Sequence, residues 1–334
     1  MTTDERLAAL EKLGNYVGAI DEVELGELML KVRNENPWFT AGSVNVAFEG
    51  VRRYLDGKKL KKWASGYSNS PAHRKTVAVV MAGNIPLAGF HDFLSVLVSG
   101  HAIMAKLSSK DSVLLTHLSK KLIEIDARFE TLISMPAQLK NFDAVIATGS
   151  DNSSRYFEYY FGKYPHIIRK NRTSCAILNG KETADELALL GRDVFTYFGL
   201  GCRNVSKIFI PADFDPARLL KAWDIYIDII HHHKYHNNYD YQKSILLVNK
   251  FPFYDSGFVI LQENDKLVSP ISVVYLERYY TQGHLDLKLN EVSDKLQCVV
   301  GKGDRYIPFG QTQSPELWDY ADRVDTMKFL ETLA

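Results

Sequence analysis

Over the first seventy residues the apolar positions recur at helical spacing. Leu7, Leu10 and Leu13 share a face behind a Thr3 or Asp4 cap, and like stripes run from Glu22 to Val32 and from Ser43 to Leu55. Ser68-Asn-Ser-Pro-Ala72 then has linker composition. From Thr76 the pattern changes to short apolar runs, TVAVVMA (76–82), AIMAK (102–106) and AVIATGS (144–150). Between and after them come helical stretches: FHDFLSVLVSG, a segment from about Val113 to Phe129, and RYFEYYFG. Such alternation predicts a parallel, doubly wound α/β sheet. Past SCAIL (174–178), a helical pattern from Ala184 to Phe198 ends in Gly199-Leu200-Gly201-Cys202, and an apolar strand follows. Strands are predicted near 206–210, 244–249, 257–262, 272–278 and 296–300, with a helix from about Ala217 to His231 and a turn at Asn237-Asn238-Tyr239.

Composition narrows the class. The 334 residues suffice for two domains, and 46% hydrophobic with 24% charged residues is ordinary for a globular chain. Forty basic residues balance forty acidic ones, so no global field favours nucleic acid or an anionic membrane. Three distant cysteines, with no CxxC pair, argue against a disulfide scaffold or structural zinc and for a reducing cytoplasm. The N-terminus reads as a charged helix rather than a signal peptide, and no run reaches the length of a transmembrane helix.

Candidate chemistry sits in loops. In a doubly wound sheet ligands bind beyond the carboxyl ends of the strands, where Gly83-Asn84, Lys106 to Lys110 and Gly149-Ser150 fall. Gly149-Ser150 can offer N–H groups and a hydroxyl to a pyrophosphate at a helix start; otherwise it is an ordinary cap. Asn84 is alternatively a turn residue and Lys106 a surface lysine. Cys202, on a glycine-flanked turn, has the setting of a nucleophile, or else of a cysteine packed at a helix end. Cys175 and Cys298 lie in strand patterns and read as buried fillers. The basic run Gly57 to Lys62 reads as a solvated helix face. His231 to His233 with His236 suggests a metal, but with no complementing carboxylate or cysteine in the run, no metal site is assigned.

Taken in order, strand-Gly83-Asn84-Ile85-Pro86, strand-Lys106-x-Ser108, strand-Thr148-Gly149-Ser150, helix-Gly-x-Gly-Cys202 and Pro308-Phe309-Gly310 resemble the aldehyde dehydrogenase superfamily. With KYHNNYDYQKS and PFGQTQSPELWDYADRVDT the chain looks most like acyl-CoA reductases related to LuxC. The resemblance implies a Rossmann-type cofactor domain and an α/β catalytic domain carrying the cysteine. It divides the chain into an N-terminal helical segment (1–70), a nicotinamide-dinucleotide domain (71–182), a catalytic domain (183–305) and a segment returning to the cofactor domain (306–334). It implies Cys202 as nucleophile, and Asn84 with the Cys202 N–H as oxyanion hole. It further implies Lys106 and Ser108 on the nucleotide, and Gly149 with Ser150 on the pyrophosphate. Ser109 falls where NAD-specific relatives place a glutamate; a small hydroxyl beside Lys110 leaves room and charge for a 2′-phosphate, so NADPH is expected before NADH.

Two departures bear on the reaction. Hydrolytic relatives carry a water-activating glutamate just before the strand resembling SCAIL, whereas IIRKNRTSCAIL places Arg169 at or near that position, with no carboxylate expected nearby. The late glutamate on the nicotinamide ribose has no clear counterpart in LVSPIS (267–272). The expected activity is reduction of an acyl-CoA or acyl-protein thioester to a fatty aldehyde. The resemblance also implies a homo-oligomer, and an acyl-transferring partner protein is compatible with it. A reductase of an acyl phosphate, or a nucleotide- or partner-binding relative without turnover, would share the same residues.

Overall fold

The computed structural model describes residues 1–333 (for Asp151, the backbone alone). The chain forms two compact units, Met1–Asn171 with the stretch from Pro315 onward, and Arg172–Ser314.

The first unit opens with α1 (Thr3–Ala19), α2 (Glu22–Glu35), α3 (Ala41–Tyr54) and α4 (Gly57–Ala64). Thr2, not Thr3 or Asp4, caps α1, in a reciprocal box with Glu5. There follow β1 (Thr76–Val80), α5 (Phe90–Ser99), β2 (Ala102–Lys106), α6 (Val113–Ile125), β3 (Ile133–Ser134), β4 (Ala144–Thr148), α7 (Asp151–Phe161) and β5 (His166–Arg169). The sheet has order β3-β2-β1-β4-β5 and every pairing is parallel. Alternate residues of β1 face opposite layers. Val77 and Val79 enter a core with α1 to α6, while Ala78 packs with Val145, Ala147, Phe157 and Phe161 on the α7 side. Helix α5 is buried all round, with every residue but His91 buried and Phe93, Leu94 and Leu97 completely so; each such apolar side chain contributes roughly 1.5–3 kcal/mol. The N-terminal helices therefore share one core with the sheet.

In the second unit β6 (Thr173–Ile177), α8 (Ala184–Phe195), β7 (Val205–Pro211), α9 (Ala217–Trp223), α10 (His233–Val248), β8 (Tyr254–Asp255), β9 (Ile260–Glu263), β10 (Val273–Tyr279), α11 (Gln282–Val292) and β11 (Leu296–Val300) succeed one another. The sheet order is β11-β6-β7-β10-β9-β8, parallel except for β8 on β9. One face packs Ala176, Ile208, Ile210 and Leu276 with Leu187, Leu190, Leu219 and Trp223; Cys175, Ile177 and Phe209 pack with Leu285 on the other. The chain then rejoins the first unit, where α12 (Thr326–Glu331) buries Met327 and Leu330.

Several expectations need correction. Residues 244–249 are not a strand: all but Asn249 belong to α10, which also contains the expected turn at 237–239. The buried residues of that helix, Tyr235, Tyr239 and Leu246, lie at helical spacing. Leu247 and Val248, which made the run look strand-like, are 58% and 81% exposed. Helix α8 stops at Phe195, and a non-helical turn (Thr196–Gly199) carries the chain on. The predicted helix Ala217–His231 is α-helical only to Trp223 and continues as 3₁₀. The second unit begins at Arg172 rather than 183, because β6 pairs with β7 and β11. It extends to Ser314, past the expected break at 305.

Candidate active site

Three loops meet the carboxyl-terminal edge of the first sheet. After β1, Gly83 is buried and Asn84 exposed. After β2, Lys106 and Ser108 are half-buried, and Ser109 and Lys110 exposed. Because Val80 pairs with Lys106 and the Met81 N–H donates to Lys106 O at 3.1 Å, these two loops leave the sheet side by side. A Cβ on Gly83 would stand 2.3 Å from Ser108 Oγ, so only glycine permits that approach.

After β4 comes Gly149-Ser150. Ser150 is the N-cap of α7, its Oγ accepting the Ser153 N–H at 3.2 Å. A Cβ on Gly149 would meet Phe157 Cε2 at 2.7 Å and Ser153 Cβ at 2.9 Å. The start of α6 is already filled: Glu35 accepts the N–H groups of Ser112 at 2.9 Å and Val113 at 3.2 Å. Of these two helix starts α7 is thus the one whose backbone N–H groups suit a ligand phosphate. The glycines at 83 and 149 let their loops pack against Ser108 and against Phe157, and Lys106 stands half-buried at the end of β2.

In the second unit Cys202 is the exposed cysteine; Cys175 and Cys298 are buried. Burial pushes the Cys175 thiol up to about 12 and raises that of Cys298, which leaves both poor thiolates. Cys202 and Arg203 are the central residues of a turn closed by the Asn204 N–H on Gly201 O at 3.0 Å. Asn204, 2% exposed, organises it. Its Oδ1 accepts the Gly201 N–H at 2.8 Å, and its Nδ2 donates to the α8-end carbonyls of Asp193 (3.0 Å), Val194 (3.3 Å) and Thr196 (2.7 Å). Ser174 Oγ donates to Cys202 O at 3.0 Å and accepts the Cys298 N–H at 3.1 Å. Upstream, Tyr197 (φ 55°) and Phe198 (φ 58°) are left-handed, a costly arrangement for two aromatics in succession.

Three further polar residues escaped the sequence reading. Asp193, fully buried, accepts the N–H groups of Gly310 (2.6 Å) and Thr312 (3.0 Å) and the Thr312 hydroxyl (2.9 Å), which fastens the Pro308-Phe309-Gly310 turn to α8. Lys207, buried in β7, pairs with Glu277 and donates to the carbonyls of Asn264 (3.3 Å), Asp265 (2.8 Å) and Lys266 (3.2 Å), shaping the approach to 267–272. Asp111 lies buried on the Lys106 loop. None of these three carries a sequence signal, whereas the turn spacing Gly201-x-x-Asn204 could have drawn attention to the Cys202 brace.

Arg169 ends β5 and is 3% exposed; it pairs with Asp92 of α5 and donates to Thr326 Oγ1 at 2.8 Å. A carboxylate is therefore close to it after all, but it is locked in a buried ion pair. In the histidine run, His232 caps α10, and His231 and His236 approach Asp228 (3.7 Å) and Asp240 (3.1 Å). Those carboxylates, three and four residues away, were not anticipated. Among the described residues no group of three His, Cys, Asp or Glu is placed to hold a metal, and no helix is long and apolar enough to cross a membrane.

Comparison with solved structures shows an aldehyde-dehydrogenase-like fold. Proline utilization A of Bradyrhizobium japonicum superposes with TM-score 0.67 at 14% identity, over 90% of this chain and 36% of that one. A Burkholderia cenocepacia protein described as an aldehyde dehydrogenase gives 0.66 at 13%, over 91% and 75%. An NAD⁺ complex of Bacillus cereus aldehyde dehydrogenase gives 0.62 at 13%, over 90% and 72%. The chain thus spans about a third of the proline utilization A proteins and about three quarters of the dehydrogenases. No curated protein matches the sequence. Residues 44–215, just over half of the chain, match the family described as acyl-CoA reductase (LuxC), and the chain belongs to that family.

Proposed function

We propose that the protein is an acyl-thioester reductase that makes a fatty aldehyde through an acyl-enzyme on Cys202. The observation that carries the reading is the exposed Cys202 thiol on a turn clamped by Asn204 and Ser174, in a chain of this family. The Cys202 thiolate attacks the thioester carbonyl, forming a carbon–sulfur bond. The tetrahedral oxyanion is held by the Asn84 amide and the Cys202 N–H, and its collapse breaks the bond to coenzyme A, which leaves as a thiolate and takes a proton. The nicotinamide cofactor, when bound, supplies the hydride that reduces the acyl-enzyme. The bond to Cys202 then breaks, the aldehyde departs, and the thiol is restored. Per turnover one thioester, one reduced cofactor and one proton give one aldehyde, one thiol and one oxidised cofactor.

Lys106, Ser108, Gly149 and Ser150 would hold the dinucleotide along the first sheet's edge. The exposed Ser109 and Lys110 favour a 2′-phosphate, hence NADPH over NADH. Arg169 supports reduction over hydrolysis, since its ion pair with Asp92 leaves that position no base for water. The acyl donor is an acyl-CoA or an acyl-protein thioester handed over by a partner, and the working form a homo-oligomer. Full-length protein given acyl-CoA without reductant should show one acyl adduct, on Cys202, by mass spectrometry. With NADPH it should consume cofactor on acyl-CoAs in preference to acyl phosphates. Cys202→Ala should abolish both signals; turnover near the wild-type rate in that variant would sink the proposal.

A further inference from the structure

Asp111 is outside the residues marked by the family pattern, yet its side chain joins the two loops that the proposed chemistry uses. It is 6% exposed. Its Oδ2 accepts the Leu87 N–H at 2.7 Å, and its Oδ1 is buried with no hydrogen-bond partner. Leu87 belongs to the loop that presents Asn84 and has φ 58°, a conformation held only where the surroundings enforce it. The loops touch again at Gly83, whose missing Cβ would stand 3.4 Å from Asp111 Cβ as well as against Ser108. Within the second loop the Asp111 N–H donates to Ser108 O and the Lys110 N–H to Ser108 Oγ, both at 3.2 Å.

We infer that Asp111 is a positioning residue for thioester reduction: it fixes the Asn84 loop against the Lys106–Ser109 loop, so that the oxyanion donor and the nucleotide-binding residues keep one arrangement. This rests on the reading of Asn84 as oxyanion donor. Burial pushes the carboxyl up to about 7; the Leu87 N–H opposes the rise and the Glu35 carboxylate adds to it. The charged group that acts on it is the Glu35 carboxylate at the end of α2, and the exposed Lys110 precedes it on its own loop. The neutral acid keeps the Leu87 bond without burying a charge. Once ionised, an oxygen with no partner must find water, and admitting it loosens the loop.

The test compares full-length wild type, Asp111→Asn, Asp111→Ala and Asn84→Ala in acyl-CoA reduction across pH 6–9, with thermal melts to confirm folding. Asn84→Ala should lose about 10²–10³ in kcat. Asp111→Ala should lose at least about tenfold in kcat with KM little changed, the mark of an interaction needed in the transition state. Asp111→Asn, whose amide oxygen can still accept from Leu87, should recover most of the rate at pH 6. It should also lack the fall in kcat that the wild type shows above about pH 7. If Asn84→Ala is impaired while folded Asp111→Ala is not, the positioning role is overturned and the oxyanion reading stands. If Asn84→Ala turns over normally, that reading fails and this inference with it. Should Asp111→Ala not fold, an unchanged descending limb in Asp111→Asn overturns the inference.

Discussion

Cys202 differs from the other two thiols by access as well as by sequence setting. At pH 8 a thiol with a pKa near 12, as burial gives Cys175, is ionised to about one part in 10⁴. Iodoacetamide on the folded protein should therefore alkylate Cys202 and spare Cys175 and Cys298, read by peptide mass spectrometry; early labelling of Cys175 would contradict its burial. The turn that presents Cys202 depends on Asn204, which serves four backbone groups at once. Asn204→Ala strands the Gly201 N–H and three carbonyls, and each stranded buried group costs about 1–3 kcal/mol. A loss of at least about 2 kcal/mol in denaturant unfolding is expected, with slower capture of an acyl group by Cys202. Beyond the turn spacing Gly201-x-x-Asn204, nothing made Asn204 stand out, and nothing marked Asp193, because their importance lies in being buried, which only the assembled unit determines.

The strand–loop–helix alternation of the first unit was legible because β1 and β4 are buried on both faces and β2 is buried on one and half-buried on the other, and continuous apolar runs are what such strands require. β2 falls on the predicted 102–106. The same reasoning failed at 244–249, where an apolar run belongs to a helix whose outward residues are apolar too. Length and the Tyr235, Tyr239, Leu246 spacing were the better guides there. The loops' placement also separates the two helix starts. Glu35 fills the α6 terminus, whereas at α7 the close approach of Gly149 to Phe157 leaves no room for a side chain. In Gly149→Ala the new methyl must displace the Phe157 ring. The dissociation constant for NADPH, followed by its fluorescence, should rise about tenfold or more if a pyrophosphate sits there, equivalent to about 1.4 kcal/mol. Unchanged binding in a folded variant would move the phosphate site elsewhere.

At the scale of the whole chain, the balanced charge gives no long-range field, so the response to pH near neutrality comes from buried groups. Asp111 has a folded pKa of about 7 against an ordinary 3.8. Between those values the folded chain holds a proton that the unfolded chain has lost, so stability falls as pH rises through this window and levels off above about 7. His101 and His117 act in the opposite sense. Burial lowers both below the usual 6.5, so the stability they permit is present above that value and lost as pH falls. In the wild type the two trends offset each other and the net slope reveals neither. Asp111→Asn removes the first and leaves the second. The stability of that variant relative to wild type should then grow by about 1.4 kcal/mol per pH unit from pH 5 to about 7 and be constant above. Tryptophan fluorescence during urea unfolding suits the measurement, because Trp38, Trp63 and Trp318 lie in the unit that holds Asp111 and Trp223 in the other. A difference independent of pH would mean that the carboxyl is not held away from water, and the tie between the Asn84 and Lys106 loops would lose its physical basis.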